Sequence, residues 1–160
     1  MDDGREDGFL IGSLLLIPFA ALNRRVQDGY VAAGFADVRP VHTPVFRLLD
    51  PEGNRVTELA LQAGMSKQAM GYLVEYLEAH GYLERAPDPT DRRAQIVRRT
   101  ARGWALNRVS WRLVKEVQDE WAEQLGVERM RQLREILGDL VRLLGYEYTG
   151  SISEVSTRAR

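Results

Sequence analysis

The sequence contains no cysteine, which excludes disulfide bonds, thiolate zinc sites and thiol-based redox sensing. It contains two histidines, His42 and His80, and their wide separation argues against a metal site of the usual kind. We therefore predict neither a bound metal nor a cofactor. The net charge is −1, which by itself argues against a nucleic-acid-binding protein.

Long apolar runs are also scarce, and the main one is unsuited to a membrane. Residues 9–22 are too few for a span and include Gly12, Ser13 and Pro18. The residues before this run are net acidic, whereas a secretory signal begins with positive charge. These features predict a buried helix after a flexible N-terminus at 1–8, in a cytoplasmic protein without membrane contact.

The apolar residues that are present recur with helical spacing at both ends of the chain. We predict one helix over 9–34 and two over 101–145, separated at Gly126, with no clear pattern in the tail at 146–160. An apolar terminal helix and a heptad-like leucine seam favour contact with a partner subunit. The predicted interface residues are Leu15, Phe19, Leu22, Leu133, Leu137, Leu140 and Leu144.

Residues 55–100 carry the most informative pattern in the chain. Gly64 supplies a tight turn between two short predicted helices, and Ser66 is placed to cap the second. Two strand candidates, 82–85 and 94–99, then enclose a polar loop tipped by arginines. A helix-turn-helix followed by a charged hairpin predicts a winged helix, so the expected fold class is mainly α with a small β-wing.

Positive charge is concentrated in the same region. Between Arg85 and Arg112 there are eight arginines and two aspartates, whereas the segments 1–53, 54–84 and 113–147 are each net negative. This asymmetry is expected of a local surface that contacts phosphates.

The order of these parts resembles the MarR family of bacterial transcriptional regulators. The resemblance covers about residues 10–145, and its most specific part is DPTDRRAQIVRRTARG, preceded by VTELALQAGMSKQAMGYLVEYLEAHGYLER. It implies a homodimer in which terminal helices form a base and a winged domain at 41–100 presents a recognition helix to a pseudo-palindromic operator. Tyr72 and Tyr76 stand where relatives often carry arginine, so we expect affinity to depend more on the wing than is usual.

In the pose that the resemblance implies, the helix at 66–80 enters the major groove. Gln68 is suited to pair with adenine, and Lys67 to reach guanine or phosphate. The alternative is an ordinary solvated helix face. The predicted recognition residues are Ser66, Lys67, Gln68, Gly71 and Tyr72.

The wing supplies the other predicted contacts. Its tip residues are Asp91, Arg92 and Arg93, where arginine suits a narrow minor groove and Asp91 can orient an arginine through a salt bridge. A solvated surface loop is the alternative. The candidate phosphate contacts are Arg85, Arg98 and Arg99. Because strand residues alternate faces, the last two cannot both point towards DNA.

An effector cleft is predicted between the dimer base and the winged lobe, with His42, Phe46 and Trp104 as candidate lining residues. For His42 a position at a helix start, and for Trp104 core or interface packing, are the favoured alternatives. Since thiol and metal sensing are disfavoured, a small, largely apolar or aromatic effector is what remains.

These features together predict a transcriptional regulator, a repressor, that binds double-stranded DNA as a homodimer and is released by an effector. A winged-helix module that binds protein is the alternative, because Glu75 and Glu78 lie on the recognition helix. An enzyme is disfavoured, since no nucleophile–base pair, phosphate loop or metal set is visible.

Overall fold

The computed structural model describes residues 10–91, 93–148 and 155–157. The predicted flexible segment at 1–8 therefore lies outside the described residues. The helices are α1 (Ile11–Ala32), α2 (Thr43–Leu48), α3 (Val56–Gln62), α4 (Lys67–Ala79), α5 (Ala101–Leu125) and α6 (Val127–Leu143). The strands are β1 (Leu83–Pro87), β2 (Gln95–Arg99), β3 (Tyr146–Tyr148) and β4 (Val155–Thr157), and a 3₁₀ turn, Pro40–His42, precedes α2.

The predicted winged helix is present, and local sequence sets its boundaries. Gly64 has a φ of +64°, which places the turn between α3 and α4 in the left-handed region that favours glycine. The Ser66 hydroxyl accepts from the amide of Ala69 at 3.1 Å and so caps α4. After α4, β1 and β2 pair antiparallel from Leu83 opposite Arg99 to Pro87 opposite Gln95.

The core joins the winged lobe to α1 and α5. Its fully buried side chains come from α2, α3, α4, β2, α5 and the segments beside them, and the largest of them are Tyr82, Leu49, Leu59, Met70, Leu77 and Leu106. Burying a side chain of this size contributes roughly 1.5–3 kcal/mol. The lobe and the long helices therefore share one apolar interior.

The C-terminal half of α1 is held against α5 within the same chain. A Cβ atom at Gly29 would lie 2.4 Å from Cδ2 of Leu113, so the two helices cross closely there. Arg25 forms a bidentate ion pair with Glu120, with N–O distances of 2.7 and 3.0 Å. The N-terminal half of α1 and the residue before it carry mostly exposed apolar side chains, among them Leu10, Ile11, Leu14, Leu15, Leu16, Ile17 and Phe19.

The C-terminal tail differs from the patternless segment that the sequence predicts. Strands β3 and β4 pair antiparallel, with Tyr146 opposite Thr157 and Tyr148 opposite Val155. Each strand has three residues, which is too short for alternation to be recognised in the sequence.

The first turn of α5 packs unusually close to the start of the wing. Thr100 caps α5 by accepting from the amide of Gly103 at 3.2 Å, and its own amide donates to the carbonyl oxygen of Tyr82 at 3.0 Å. A Cβ atom at Gly103 would lie 2.3 Å from that carbonyl oxygen. The Thr-x-x-Gly pattern is therefore a packing requirement of this junction.

We predict that Gly103→Ala lowers the free energy of unfolding by about 1–3 kcal/mol, because the added methyl forces the backbone of α5 away from Tyr82. Urea denaturation measures the change. The matched control is Gly138→Ala in α6, where the nearest atom to the added Cβ is the flexible end of Arg142 at 3.6 Å. This control should be more stable by roughly 0.5–1 kcal/mol. Equal stabilities of the two variants would contradict the packing argument.

Candidate nucleic-acid interface

The predicted recognition residues of α4 converge on one exposed surface. Met70, Val74 and Leu77 face the core and are buried, which turns the opposite side of α4 to solvent. That side forms an open groove of about 610 Å³. The groove is lined by Val56, Lys67, Gln68, Gly71, Tyr72, Glu75 and Arg85. Four of the five predicted recognition residues therefore share a surface with a predicted phosphate contact.

The geometry within this recognition groove suits a reader of base edges. Tyr72 is 62% exposed, and its hydroxyl accepts from Nε2 of Gln68 at 3.1 Å. Space is open around the position of a Cβ at Gly71, with no atom within 4 Å. Ser66 lies outside the groove as the α4 cap, but its hydroxyl accepts in that role and keeps its proton for donation.

The turn before α2 fixes the C-terminal half of α4. Tyr76 donates from its hydroxyl to the carbonyl oxygen of Asp37 at 2.9 Å, and the Asp37 carboxylate accepts from the Tyr82 hydroxyl at 2.6 Å. Arg102 of α5 pairs with the same carboxylate at 3.1 Å. Partial burial opposes ionisation of Asp37, but the hydrogen bond from Tyr82 and the charge of Arg102 leave its pKa below the ordinary value. Burial, together with the hydrogen bond that the Tyr82 hydroxyl donates to Asp37, raises the pKa of Tyr82 to about 12.

At the wing tip, Arg93 is exposed and forms no ion pair among the described residues, whereas Arg92 lies outside them. Asp91 accepts from the backbone amide of Arg93 at 3.0 Å. Its ion-pair partner in the described part of the chain is Arg55, at 3.6 Å. Asp91 thus shapes the loop through a backbone hydrogen bond. It forms no salt bridge with the guanidinium of Arg93, although the sequence suggested that Asp91 could orient an arginine in this way.

A buried aspartate that the sequence analysis missed fastens the wing to α3. Asp88 is 5% exposed, and its carboxylate accepts from Nε of Arg55 at 2.6 Å and from the amide and hydroxyl of Thr90 at 2.7 and 2.6 Å. The bonds from Thr90, together with that from Arg55, hold the pKa of Asp88 well below its usual range. Asp-x-Thr is a pattern typical of side-chain turns, and it was the available signal.

Two of the predicted phosphate contacts are exposed but already paired. Arg85 lies 3.1 Å from Glu78 of α4, and Arg98 lies 2.8 Å from Glu84 across the hairpin. Pairs this exposed contribute little to stability, so a phosphate can compete for either arginine. The free positive charge of the wing is nonetheless smaller than the count of arginines suggests.

Arg99 is not available to phosphate, so the prediction of a contact there is wrong. It is 4% exposed, because β2 turns it inwards while Arg98 faces solvent. Its guanidinium donates to the carbonyl oxygens of Phe46 at 2.6 Å and Leu49 at 2.7 Å and lies 5.1 Å from the ring centre of Trp104. Burial lowers the pKa of Arg99 to about 10, which still leaves it charged at neutral pH.

A cavity of about 190 Å³ lies between α1, α2 and α5, where the effector cleft is predicted. Phe46 lines it as expected. His42 does not, because it is buried, stacks on Tyr76 and accepts at Nδ1 from the amide of Arg39. Trp104 does not either, because it covers Arg99. The lining residues are Phe19, Leu22, Asn23, Val26, Tyr30, Val38, Thr43, Phe46, Arg47, Asn107, Ser110 and Val114.

None of the polar residues that line this cavity was predicted from the sequence. The hydroxyl groups of Tyr30 in α1 and Ser110 in α5 form a hydrogen bond of 2.6 Å between the two helices. Tyr30 lies on the buried, otherwise apolar side of α1, and burial raises its pKa. The only signal in the sequence was the hydroxyl group of a tyrosine on an otherwise apolar helix face.

Among the described residues, no helix combines the length and the apolar character that crossing a membrane requires. No cluster of three histidine, aspartate or glutamate side chains in that part of the chain could hold a metal ion.

Comparison with known proteins identifies the winged lobe. Residues 36–94 match the sequence profile described as the MarR family. The winged lobe of this chain is therefore similar to that of MarR-family transcriptional regulators. The match spans α2 to the wing loop and so includes the recognition groove. No curated protein sequence matches the chain.

Several solved structures share the fold of this chain. CouR from Rhodococcus jostii RHA1, bound to p-coumaroyl-CoA, is 25% identical over 81% of this chain and 90% of its own, with a TM-score of 0.61. RV1404 from Mycobacterium tuberculosis is 20% identical over 87% and 95%, with a TM-score of 0.71. A MepR mutant from S. aureus, bound to an oligodeoxyribonucleotide, is 15% identical over 86% and 99%, with a TM-score of 0.55.

We predict that Asp88→Asn destabilises the protein at pH 7, because an amide cannot hold the Arg55 cation. Since the folded pKa of Asp88 is depressed, its contribution is fully present above the ordinary aspartate pKa of about 3.9 and is lost as pH falls below it. The difference in urea midpoint between the natural protein and the variant should therefore stay constant from pH 7 to about 5 and shrink at lower pH.

Asp91→Asn is the matched control, because Asp91 is exposed and its ion pair with Arg55 is longer, at 3.6 Å. It should change the midpoint less than Asp88→Asn does. A larger effect from Asp91→Asn would show that the wing is held at its tip.

Proposed function

We propose that this protein is a sequence-specific regulator that binds double-stranded DNA as a homodimer on a pseudo-palindromic operator. The observation that carries the proposal is the convergence of Lys67, Gln68, Gly71 and Tyr72 on one exposed groove of α4, beside the wing. An exposed helix of this kind fits the major groove of B-DNA, where base pairs present distinct donors and acceptors.

In that arrangement some side chains contact base edges and others contact the DNA backbone or the minor groove. Gln68 reads adenine through its amide, which Tyr72 orients, and the open surface at Gly71 lets the DNA approach the helix backbone. Lys67, Arg85 and Arg98 contact phosphates, while Arg92 and Arg93 enter the adjacent minor groove.

Two substitutions should separate these roles. Gln68→Ala is expected to lose about 1–3 kcal/mol of discrimination at one base pair in each half-site, with little change on unrelated duplexes. Arg93→Ala should weaken binding to every duplex and reduce the slope of log K against log salt by about 1 for each subunit. Fluorescence anisotropy on an operator, found by footprinting the DNA upstream of the gene, measures both effects.

Arg129→Ala in α6 is the control for charge, because Arg129 is exposed and does not line the groove. It should leave the salt slope unchanged. If no duplex is bound in a salt-dependent way, including the DNA beside the gene, the proposed function is overturned.

The alternative, a winged helix that binds protein, draws support from the acidity of the same surface. Glu75 is exposed in the recognition groove, and Glu78 is paired with Arg85. The double substitution of Arg92 and Arg93 by alanine distinguishes the two functions. DNA affinity should collapse if the protein reads DNA, whereas partner binding should change little if the groove binds protein.

The homodimer is supported by apolar surface on the terminal helices. Leu133 in α6 and Leu144 directly after it are exposed, and Leu137 and Leu140 are partly so. Leu15 and Phe19 of α1 are exposed as well. Leu22 is less suited to an interface, since it packs against the core and lines the cavity. A second copy that covers the exposed face would place two recognition helices for half-sites one helical turn apart, about 34–36 Å.

We predict that Leu133→Glu weakens the dimer, because a charge on that face loses its hydration when the partner covers it. The dimer dissociation constant should rise at least about tenfold, which corresponds to about 1.4 kcal/mol. Sedimentation velocity over a concentration series measures it. Leu61→Glu, at an exposed leucine of α3, should remain a dimer, and an unchanged Leu133→Glu dimer would move the interface elsewhere.

The effector would bind in the cavity between α1, α2 and α5. Its apolar walls and the Tyr30–Ser110 pair suit a small, largely apolar or aromatic molecule with one polar group. CouR is bound to p-coumaroyl-CoA, which supports a ligand-controlled regulator. The effector would release a repressor from DNA by changing the spacing of the two recognition helices, since two half-sites tolerate little misalignment.

A further inference from the structure

Arg99 is a buried cation without a carboxylate to neutralise it. Among the described residues no acidic side chain bonds to it, and the nearby Asp50 carboxylate accepts instead from Nδ2 of Asn54 at 2.6 Å. Its Nε atom is buried and has no hydrogen-bond partner in the described part of the chain. A charge removed from water in this way depends on the few acceptors that it keeps.

Those acceptors belong to the C-terminal end of α2. Nη2 donates to the Phe46 carbonyl at 2.6 Å and Nη1 to the Leu49 carbonyl at 2.7 Å. The last carbonyls of a helix have no partner within the helix, so they are free to accept. Because the guanidinium is planar and rigid, two bonds from its two ends fix both the distance and the angle between β2 and α2.

The same short helix forms a wall of the cavity. The Phe46 side chain lines the cavity while the Phe46 carbonyl binds Arg99, and Thr43 and Arg47 of α2 line it too. Trp104, which covers the guanidinium, lies one turn before Asn107 on the cavity side of α5. One residue of α2 therefore touches the cavity with its side chain and the wing with its backbone.

We infer that Arg99 is a positioning residue that transmits the state of the cavity to the wing. A ligand that displaces Phe46 moves the carbonyl on which Arg99 depends. Arg99 follows, because its one further hydrogen bond, from Nη1 to the Asp50 carbonyl at 3.4 Å, is longer and also goes to the backbone just after α2. Arg99 carries β2 and the wing tip with it. The inference rests on the proposed function for its meaning in regulation, whereas the mechanical coupling itself requires no DNA.

A double-substitution cycle tests the coupling without a ligand. Phe46→Leu changes the cavity wall. Arg99→Met removes the two guanidinium hydrogen bonds to α2 and places an apolar side chain in the buried site. In the Arg99 protein, Phe46→Leu should speed hydrogen exchange of the β1 and β2 amides by about fivefold or more. In the Met-substituted protein the same change should alter exchange by less than about twofold.

Arg98→Met is the matched control. Arg98 is the neighbour of Arg99 in β2, carries the same charge and pairs with Glu84 on the outer face, away from α2. It should weaken DNA binding but leave the full effect of Phe46→Leu on wing exchange. If Arg99→Met fails to fold, Arg99→Lys gives the same test, because lysine keeps the charge and loses the two-ended fork.

A second connection between α2 and the wing makes the test decisive. The turn after α2 also bonds to β2 through Asn54 and Val97, with N–O distances of 2.9 and 3.1 Å. If that bridge carries the coupling, the effect of Phe46→Leu survives the loss of Arg99 and the inference is overturned. It is overturned equally if Phe46→Leu does not alter wing exchange in the Arg99 protein.

DNA binding is measured on the natural protein, the two single variants and the double variant of the cycle. The result distinguishes the proposed DNA-binding function from the proposed coupling through Arg99. If the operator affinity follows wing exchange, both the proposed function and the coupling stand. If no variant binds DNA but the exchange cycle behaves as expected, the coupling stands and the DNA function fails.

Discussion

The close approach of α5 to Tyr82 is the constraint on which the winged lobe depends. The amide of Tyr82 donates to the Leu77 carbonyl, which ends α4, and its carbonyl accepts from Thr100, which starts α5. Its hydroxyl reaches Asp37 in the turn before α2. A single buried residue thus fixes the recognition helix, the first wing strand and the long helix relative to one another, and a glycine at 103 is what makes the approach possible.

The arginines of the wing region are divided between building the lobe and contacting a ligand. Arg99 and Arg102 have structural partners, the first in helix carbonyls and the second in Asp37. Arg85 and Arg98 are exposed but shared with glutamates, and Arg93 has no ion pair among the described residues. Burial decides the difference, because a buried cation must be satisfied inside the protein and an exposed one exchanges its partner for a phosphate at little cost.

The elements of the fold could be predicted from the sequence because their signals are local. The cap at Ser66, the turn at Gly64 and the arginine-tipped hairpin each depend on residues a few positions apart. The alternation of β2 also predicted that one of Arg98 and Arg99 must turn inwards. Which one does so depends on where the core lies, and that information is not local.

The missed residues share this non-local character. Asp88 meets Arg55 across 33 positions, and Tyr30 meets Ser110 across 80. His42 was placed in the cleft by analogy, but its ring is taken up by Tyr76 of α4, far along the chain. Contacts of this kind follow from the packing of helices, which no spacing rule within one segment reveals.

The electrostatics of the proposed interface bear on its selectivity. Phosphates that draw Arg85 and Arg98 away leave Glu78 and Glu84 without their partners, near the negative duplex. That rearrangement opposes binding on every sequence equally, and Glu75 in the groove adds to it. Sequence-independent affinity, which comes almost entirely from phosphate contacts, would therefore be reduced, while the proposed contacts of Gln68 to base edges would not. A nearly neutral protein with a paired wing can in this way depend on its base contacts more strongly than a basic winged helix does.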